Sequence, residues 1–340
     1  MLQVLKDVDE LPAQIEKAAP ECVTAPAAAP SLINAAGRSS ISRLVLRARQ
    51  LASPHRNKIY MDIEILFSLL STSRALRILI GESPELQTDM QSGFRRLRHT
   101  VEFAPITSQS FSEYELVVPM SVRDLMQARE WPELVLENAI PFPSPECVSL
   151  CDDKFEFNQR LIASGFGVYV PKMGSGLERP YILKKRIGIW GRECRVIHDL
   201  KDKADAMAQI NDPAYFCQEI VRGRQEFATH ILFVNGRIAK SLNIMYEFES
   251  ETPIKGQDPF LYRVIHRCPY LDLFSSILNS VGFQGLCCVN YKVAGGRPHI
   301  LEINPRFGGS LAPYFSSFVR GIKPRRSTAA KTNSIAMRVS

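Results

Sequence analysis

Glu302, Asn304 and Arg306, two residues apart within the stretch HILEINPRFGGS from His299 to Ser310, are the side chains best suited to chemistry. In an extended backbone successive side chains face opposite ways, so Glu302 and Asn304 project to one side while Leu301 and Ile303 project to the other. One face is then core and the other is free for a ligand. A carboxylate and a carboxamide at this spacing supply the hard oxygen ligands that Mg²⁺ takes when it also holds substrate phosphates. Pro305 ends the ladder, and Arg306 follows with a planar fork that meets a phosphate or a carboxylate bidentately. Gly308 and Gly309 let backbone amides come close to an anion. An edge strand with a turn has some of these features, but Glu, Asn and Arg together beside a glycine pair point to a nucleotide and metal site.

Such a strand needs a sheet and a scaffold. The chain has 340 residues, 45% hydrophobic and 23% charged, enough for two or three ordinary globular domains. No apolar run reaches the roughly 18 to 20 residues of a membrane span, and the acidic first thirty residues resemble neither a secretory signal nor a transit peptide. A cytoplasmic protein is expected. The eight cysteines form no CxxC pair and read as buried thiols in a reducing compartment. Of the formal charge of +7, six units come from Arg320, Lys323, Arg325, Arg326, Lys331 and Arg338. The body is nearly neutral, which argues against a specific nucleic-acid surface.

Residues 1–74 read as an N-terminal extension. Helices are expected over 2–18, 38–52 and 58–72, with a Pro/Ala linker over 19–36. From Ala75 onward short apolar runs alternate with helical segments. Strands are expected at ALRILI, at 101–105 and at 114–119, with helices over 84–98 and 122–131, as in a small parallel sheet. Ligands of such sheets lie at the carboxyl ends of strands, here Gly81 to Ser83 and Met120 to Ser121. After the boundary at 141–145 a single helix is expected from Glu146 to Phe166, stopped by Gly165 and Gly167. Lys154 within it is either a solvated lysine paired with Asp152 or Asp153, or a ligand group. Further on, Lys184 ends the strand Tyr181 to Leu183, and Gly188 and Gly191 make a loop that serves either as a phosphate cover or as an ordinary strand turn. A helix is expected around 203–210, and Asn235-Gly236 signals a hairpin.

The run from Leu301 to Arg306 resembles the metal-binding signature of the ATP-grasp superfamily, which reads apolar, Glu, apolar, Asn, Pro, Arg. The resemblance extends over roughly 75–318 and implies an α/β fold: a small parallel-sheet domain followed by two subdomains whose antiparallel sheets clasp the nucleotide. It implies that Lys154 and Lys184 reach the nucleotide phosphates, that Gln218, Glu219, Ile220 and Val221 form the linker at the adenine edge, and that Glu226 reaches the ribose. Asn290 stands where relatives place a further metal ligand, so the implied metal set is Asn290, Glu302 and Asn304, with Arg306 as the catalytic arginine. Three departures are present: Lys185 stands where a proline is frequent, the loop at Gly188 and Gly191 has fewer glycines than usual, and GRQE is one residue longer than the usual GxE spacing. Arg263 is either an additional phosphate arginine or an ordinary basic residue.

The implied organisation is an extension over 1–74, a preceding α/β domain over 75–145, an ATP-grasp domain over 146–318 with a lid subdomain over 172–220, and a disordered basic tail over 319–340. The implied reaction is ATP-dependent ligation of a small carboxylate to an amine through an acyl phosphate, with Mg²⁺ or Mn²⁺, most like the carbamoyl phosphate synthetase large-subunit group. Neither a membrane nor a specific nucleic acid is an expected partner, and a homodimer is compatible with the sequence. The alternative is a non-catalytic ATP-binding remnant, because family members normally continue well beyond the Asn-Pro-Arg strand. The site also sets a condition on register. Asn290 falls opposite Glu302 if the loop at Gly295-Gly296-Arg297 has an odd length, whereas a two-residue turn is expected to put Leu301 opposite Asn290.

Overall fold

The computed structural model describes residues 75–95, 97–107, 113–188, 191–320 and 322. The helices and linker expected over 1–74, and the tail over 323–340, lie outside the described residues.

The first apolar run forms β1 (Arg77–Ile80), flanked in parallel by β2 (Thr100–Phe103) and β3 (Leu116–Val118). Helix α1 (Pro84–Phe94) crosses between β1 and β2; α2 (Val122–Ala128) and α3 (Pro132–Glu137) follow β3. Proline opens α1 and α3, where its missing N–H costs nothing, and a capping box between Ser121 and Asp124 opens α2. Asp124 also accepts from the amides of Met120 and Ser121, so these two are already occupied at the carboxyl end of β3.

The helix expected over 146–166 is broken. Helix α4 (Pro145–Asp152) stops at Asp153, whose backbone is extended, and α5 (Lys154–Leu161) starts there. Asp153 caps the second helix through the amides of Phe155 and Glu156 and is gripped by Arg186 at 2.7 Å and 3.0 Å. Helical periodicity gave no warning of this, because the partner is thirty-three residues away. Asp153→Ala removes the cap and leaves Arg186 with Glu156 alone, and is expected to cost about 2 to 3 kcal/mol, measured as a lowered denaturant midpoint with an unchanged slope.

A three-stranded antiparallel sheet follows, with β4 (Tyr181–Lys185) between β5 (Cys194–Ile197) and β6 (Tyr215–Glu219). The helix expected around 203–210 is two short ones, α6 (Leu200–Asp205) and α7 (Met207–Ile210). The largest sheet has five antiparallel strands in the order β11-β10-β7-β8-β9, made of β7 (Gln225–Val234), β8 (Arg237–Phe248), β9 (Phe260–Ile265), β10 (Gly285–Ala294) and β11 (Arg297–Asn304). Helix α8 (Leu271–Ser280) joins β9 to β10. Asn235 and Gly236 turn β7 into β8 with positive φ at both positions, as the dipeptide predicts.

One apolar core joins the parallel sheet to the large one. Ile78, Ile80 and Met90 pack in the same cluster as Ala228, Leu232, Leu286 and Phe307. Helix α9 (Phe315–Val319) closes that core with Phe315, Phe318 and Val319. Val319 is therefore part of the fold, and the expected start of the tail at 319 is too early. The polypeptide is held further by Lys240, which donates to the carbonyls of Ser317 and Arg320. Among the described residues no helix is long and apolar enough to cross a membrane.

The hairpin β10-β11 departs from expectation in an instructive way. Ala294 pairs with Arg297, so the loop is the two-residue Gly295-Gly296 turn, with both glycines at positive φ. Yet Asn290 does lie opposite Glu302. A bulge between Asn290 and Tyr291 absorbs Leu301, since Tyr291 pairs with Ile300 and Asn290 with Glu302. An odd-length loop is thus not required. The bulge also turns Leu301 toward a cavity beside Glu302, not into the core, while Ile300 and Ile303 remain buried.

Candidate active site

Between the two antiparallel sheets lies a cavity of about 310 Å³. Its lining includes Lys154 from α5, Lys184 from β4, Glu226 from β7, Asn290 from β10 and Glu302, Asn304 and Arg306 from β11 and its exit. Residues spread from 154 to 306 are thereby brought to one place by five separate elements. The basic side chains are Lys154, Lys184, Lys185, Arg192, Lys255, Lys292 and Arg306; the acidic ones are Glu193, Glu219, Glu226 and Glu302. The excess of basic groups suits a polyanion.

Glu302 is the hub. Its Oε1 accepts from Asn290 Nδ2 at 2.7 Å and Asn304 Nδ2 at 3.0 Å, and its Oε2 lies 3.4 Å from Lys154 Nζ. Burial by itself pushes this carboxyl up; Lys154, the two amides and Lys255 outweigh it and hold the group down at about 2. Lys154 is not a solvated lysine paired with its acidic neighbours, since its Nζ also donates to the carbonyl of Gly188 at 2.8 Å. The ammonium thus ties β11 to the glycine loop after β4. Lys184 is not at a strand end, as β4 runs on to Lys185. It is buried, burial pushes its pKa down, and it donates to Gln218 Oε1 at 2.8 Å.

Gln218 is the expected residue that stays out of the cavity. It is 0% exposed, with its amide held by Lys184 and by the carbonyl of Pro171. A strand alternates its side chains, and Gln218 takes the inward position of β6. Glu219, Ile220 and Val221 do line the cavity. The ladder with β4 stops at Glu219, which leaves the backbone of Ile220 and Val221 outside the sheet at the cavity edge.

Glu226 is a buried acid paired with Lys255 at 3.1 Å. Lys255 was not legible in the sequence. It precedes β9 in a loop with no periodicity, yet its Nζ lies 2.9 Å from Asn290 Oδ1 and over the ring of Tyr246. Desolvation acts to lower its pKa, and Glu226 overrides that and raises it, so it is a fixed positive charge. Arg263, by contrast, is absent from the lining and lies over Phe260.

The donor set can be tested against a divalent cation. Among the described residues no group of three His, Cys, Asp or Glu side chains could hold a metal by itself. Mg²⁺ does not need one, because it is usually bound by one or two carboxylates together with substrate phosphates and water. Glu302, ionised and facing the cavity beside the amide of Asn304, fits that requirement. The oxygen of Asn290 is engaged by Lys255, so this amide orients Glu302. Arg306 reaches Asn304 Oδ1 at 3.4 Å and the carbonyl of Phe307 at 3.0 Å.

Residues 151–310 match the model of the ATP-grasp domain. Solved structures share the fold at low identity. An L-amino acid ligase from Bacillus licheniformis superposes with a TM-score of 0.51 at 15% identity, over 72% of this chain and 70% of that one. A D-alanine–D-alanine ligase from Bacillus anthracis gives 0.50 at 10% identity, over 72% and 92%. An N5-carboxyaminoimidazole ribonucleotide synthetase in complex with ADP gives 0.50 at 12% identity, over 69% and 71%. No match was found among curated protein sequences.

Proposed function

We propose, from the match of residues 151–310 to the ATP-grasp domain, that this chain is an ATP- and Mg²⁺-dependent ligase that joins a small carboxylate to an amine. The observation that carries this reading is the convergence of Lys154, Lys184 and Arg306 on one cavity with Glu302 and Asn304. The arrangement offers cations for a triphosphate and a carboxylate–amide pair for its metal. Bound Mg²⁺ would be held by Glu302 and Asn304 and would neutralise phosphate charge. The domain divisions 75–145, 146–318 and 172–220 belong to the same proposal, with β4 to β6 as the lid over the nucleotide.

In this reading Ile220 and Val221 present backbone to the adenine edge, Glu226 faces the ribose, and Lys154 and Lys184 hold phosphates. The γ-phosphoryl group passes to a carboxylate oxygen, giving an acyl phosphate and ADP. The amine then attacks the carbonyl carbon, phosphate leaves with the C–O bonding pair, and the nitrogen loses a proton. Arg306 offsets the charge on the acyl phosphate, so catalysis is positioning and electrostatics.

The test is phosphate release from ATP with a panel of amino acids and amines. Release that depends on both Mg²⁺ and a particular carboxylate is expected, with a product mass equal to acid plus amine less water. Nucleotide binding without any carboxylate-dependent release would favour the non-catalytic remnant.

A further inference from the structure

His230 is a buried polar residue at the cavity that the ligase reading leaves unused. It sits on β7 two residues beyond Ala228, on the face that Glu226 presents to the cavity, and it is 0% exposed. Its Nε2 is 2.8 Å from Ser310 Oγ, and Ser310 lines the cavity with Arg306. Its Nδ1 is buried and has no hydrogen-bond partner among the described residues. The backbone at Gly308 lies directly on the ring. A Cβ there would stand 2.5 Å from Cε1 and 2.8 Å from Nδ1, so the imidazole is fixed in place and only glycine fits above it.

Burial, helped by the charge of Lys255, pushes this histidine down to about 3, so the ring is neutral and carries one N–H. A proton on Nδ1 would be a buried donor with no acceptor, an orphan rarer than the unmet lone pair that Nδ1 keeps when the proton sits on Nε2. On Nε2 it has Ser310 Oγ as its acceptor. The serine hydroxyl is then an acceptor toward the sheet, and its own proton is left to point into the cavity.

We propose that His230 is a positioning residue: its Nε2–H donates to Ser310 Oγ and so commits the Ser310 hydroxyl to donate to an oxygen of the carboxylate substrate beside Arg306. The pair gives the site a neutral donor of fixed direction next to a cation, which orients one carboxylate oxygen while the other is free to receive the phosphoryl group. The carboxylate assignment rests on the ligase reading; the tautomer does not.

Two measurements test it. In protein labelled with ¹⁵N-histidine, a two-bond proton–nitrogen correlation reads the tautomer, with His230 assigned by its disappearance in His230→Gln. An Nε2–H ring that stays neutral through pH 5 is expected, and an Nδ1–H ring overturns the proposal. For the second, the probe is the panel carboxylate that supports phosphate release. Ser310→Ala and His230→Phe are each expected to raise KM for that carboxylate about tenfold with KM for ATP unchanged. The double variant should be no worse than Ser310→Ala, and His230→Gln, which keeps a donor near Nε2, should recover most of the loss. Additive losses, or equal losses in the glutamine variant, would reduce His230 to a packing role. If no carboxylate supports turnover, the ligase reading fails, and acetate titrated onto the MgADP-loaded protein replaces it. A shift of the His230 Nε2–H resonance that is absent in Ser310→Ala then supports the pair, and no shift overturns it.

Discussion

Glu302→Gln is expected to abolish Mg²⁺-dependent ATP turnover, a loss of about a hundredfold or more, while the protein remains folded. Glutamine keeps the size of the side chain and can still meet the amides of Asn290 and Asn304. It cannot supply the negative charge that both a metal and Lys154 require, the latter 3.4 Å away. The effect on stability has a definite pH window. The Glu302 carboxyl is moved from its usual 4.5 down to about 2, with burial opposed by Lys154 and the surrounding donors. A group whose folded pKa is depressed stabilises the fold above its unfolded value and loses that contribution as pH falls through the folded one. The stability advantage of the native protein over Glu302→Gln should therefore be full above about pH 4.5 and fade toward pH 2. Thermal midpoints of both proteins across that range measure it. Undiminished turnover in the variant would remove Glu302 from the metal site, and a difference independent of pH would remove its ion pair.

The residues that were legible in the sequence are those whose role is written in local spacing. Alternation along β11 put Glu302 and Asn304 on one face, Asn235-Gly236 announced the β7-β8 turn, and the buried apolar run at Ile78 to Ile80 announced a parallel strand. What was not legible depends on partners far along the chain. Asp153 breaks a helix because Arg186 holds it, and Gln218 turns inward because Lys184 and the Pro171 carbonyl satisfy its amide. The register of β11 shows the limit most clearly. Turn chemistry correctly favours two glycines in a two-residue loop, and that loop taken alone misaligns Asn290 and Glu302. The bulge at Leu301 restores the alignment, and a bulge of this kind has no sequence mark of its own. Lys255 and His230 were missed for the same reason. A lysine in a loop and a histidine in an apolar strand acquire meaning only when Glu226, Asn290 and Ser310 are set beside them.

Lys154→Met and Lys184→Met should each weaken ATP binding by roughly ten- to a hundredfold, since a charged contact is typically worth about 1.5 to 3 kcal/mol. Without nucleotide the two variants should part company, because the lysines have different partners. Lys154 is the counter-ion of Glu302 and also donates to Gly188, so its loss leaves a poorly solvated carboxylate against only amides and a more distant Lys255. Its thermal midpoint should fall, and the pH dependence below about 4.5 should shrink as the Glu302 pKa rises toward its ordinary value. Lys184 has no carboxylate within ion-pair distance among the described residues; its partner is the amide of Gln218, and burial already disfavours its charge. Replacing it by methionine removes a buried ammonium at the cost of one hydrogen bond, so the midpoint should stay within a degree or two or rise. Isothermal titration with a non-hydrolysable ATP analogue and thermal melts on the two variants separate these effects. Equal affinities to the native protein in both would withdraw the phosphate assignment. A fall in midpoint for Lys184→Met as large as for Lys154→Met would mean that its buried charge is a structural element of β4, not a group held in readiness for a nucleotide.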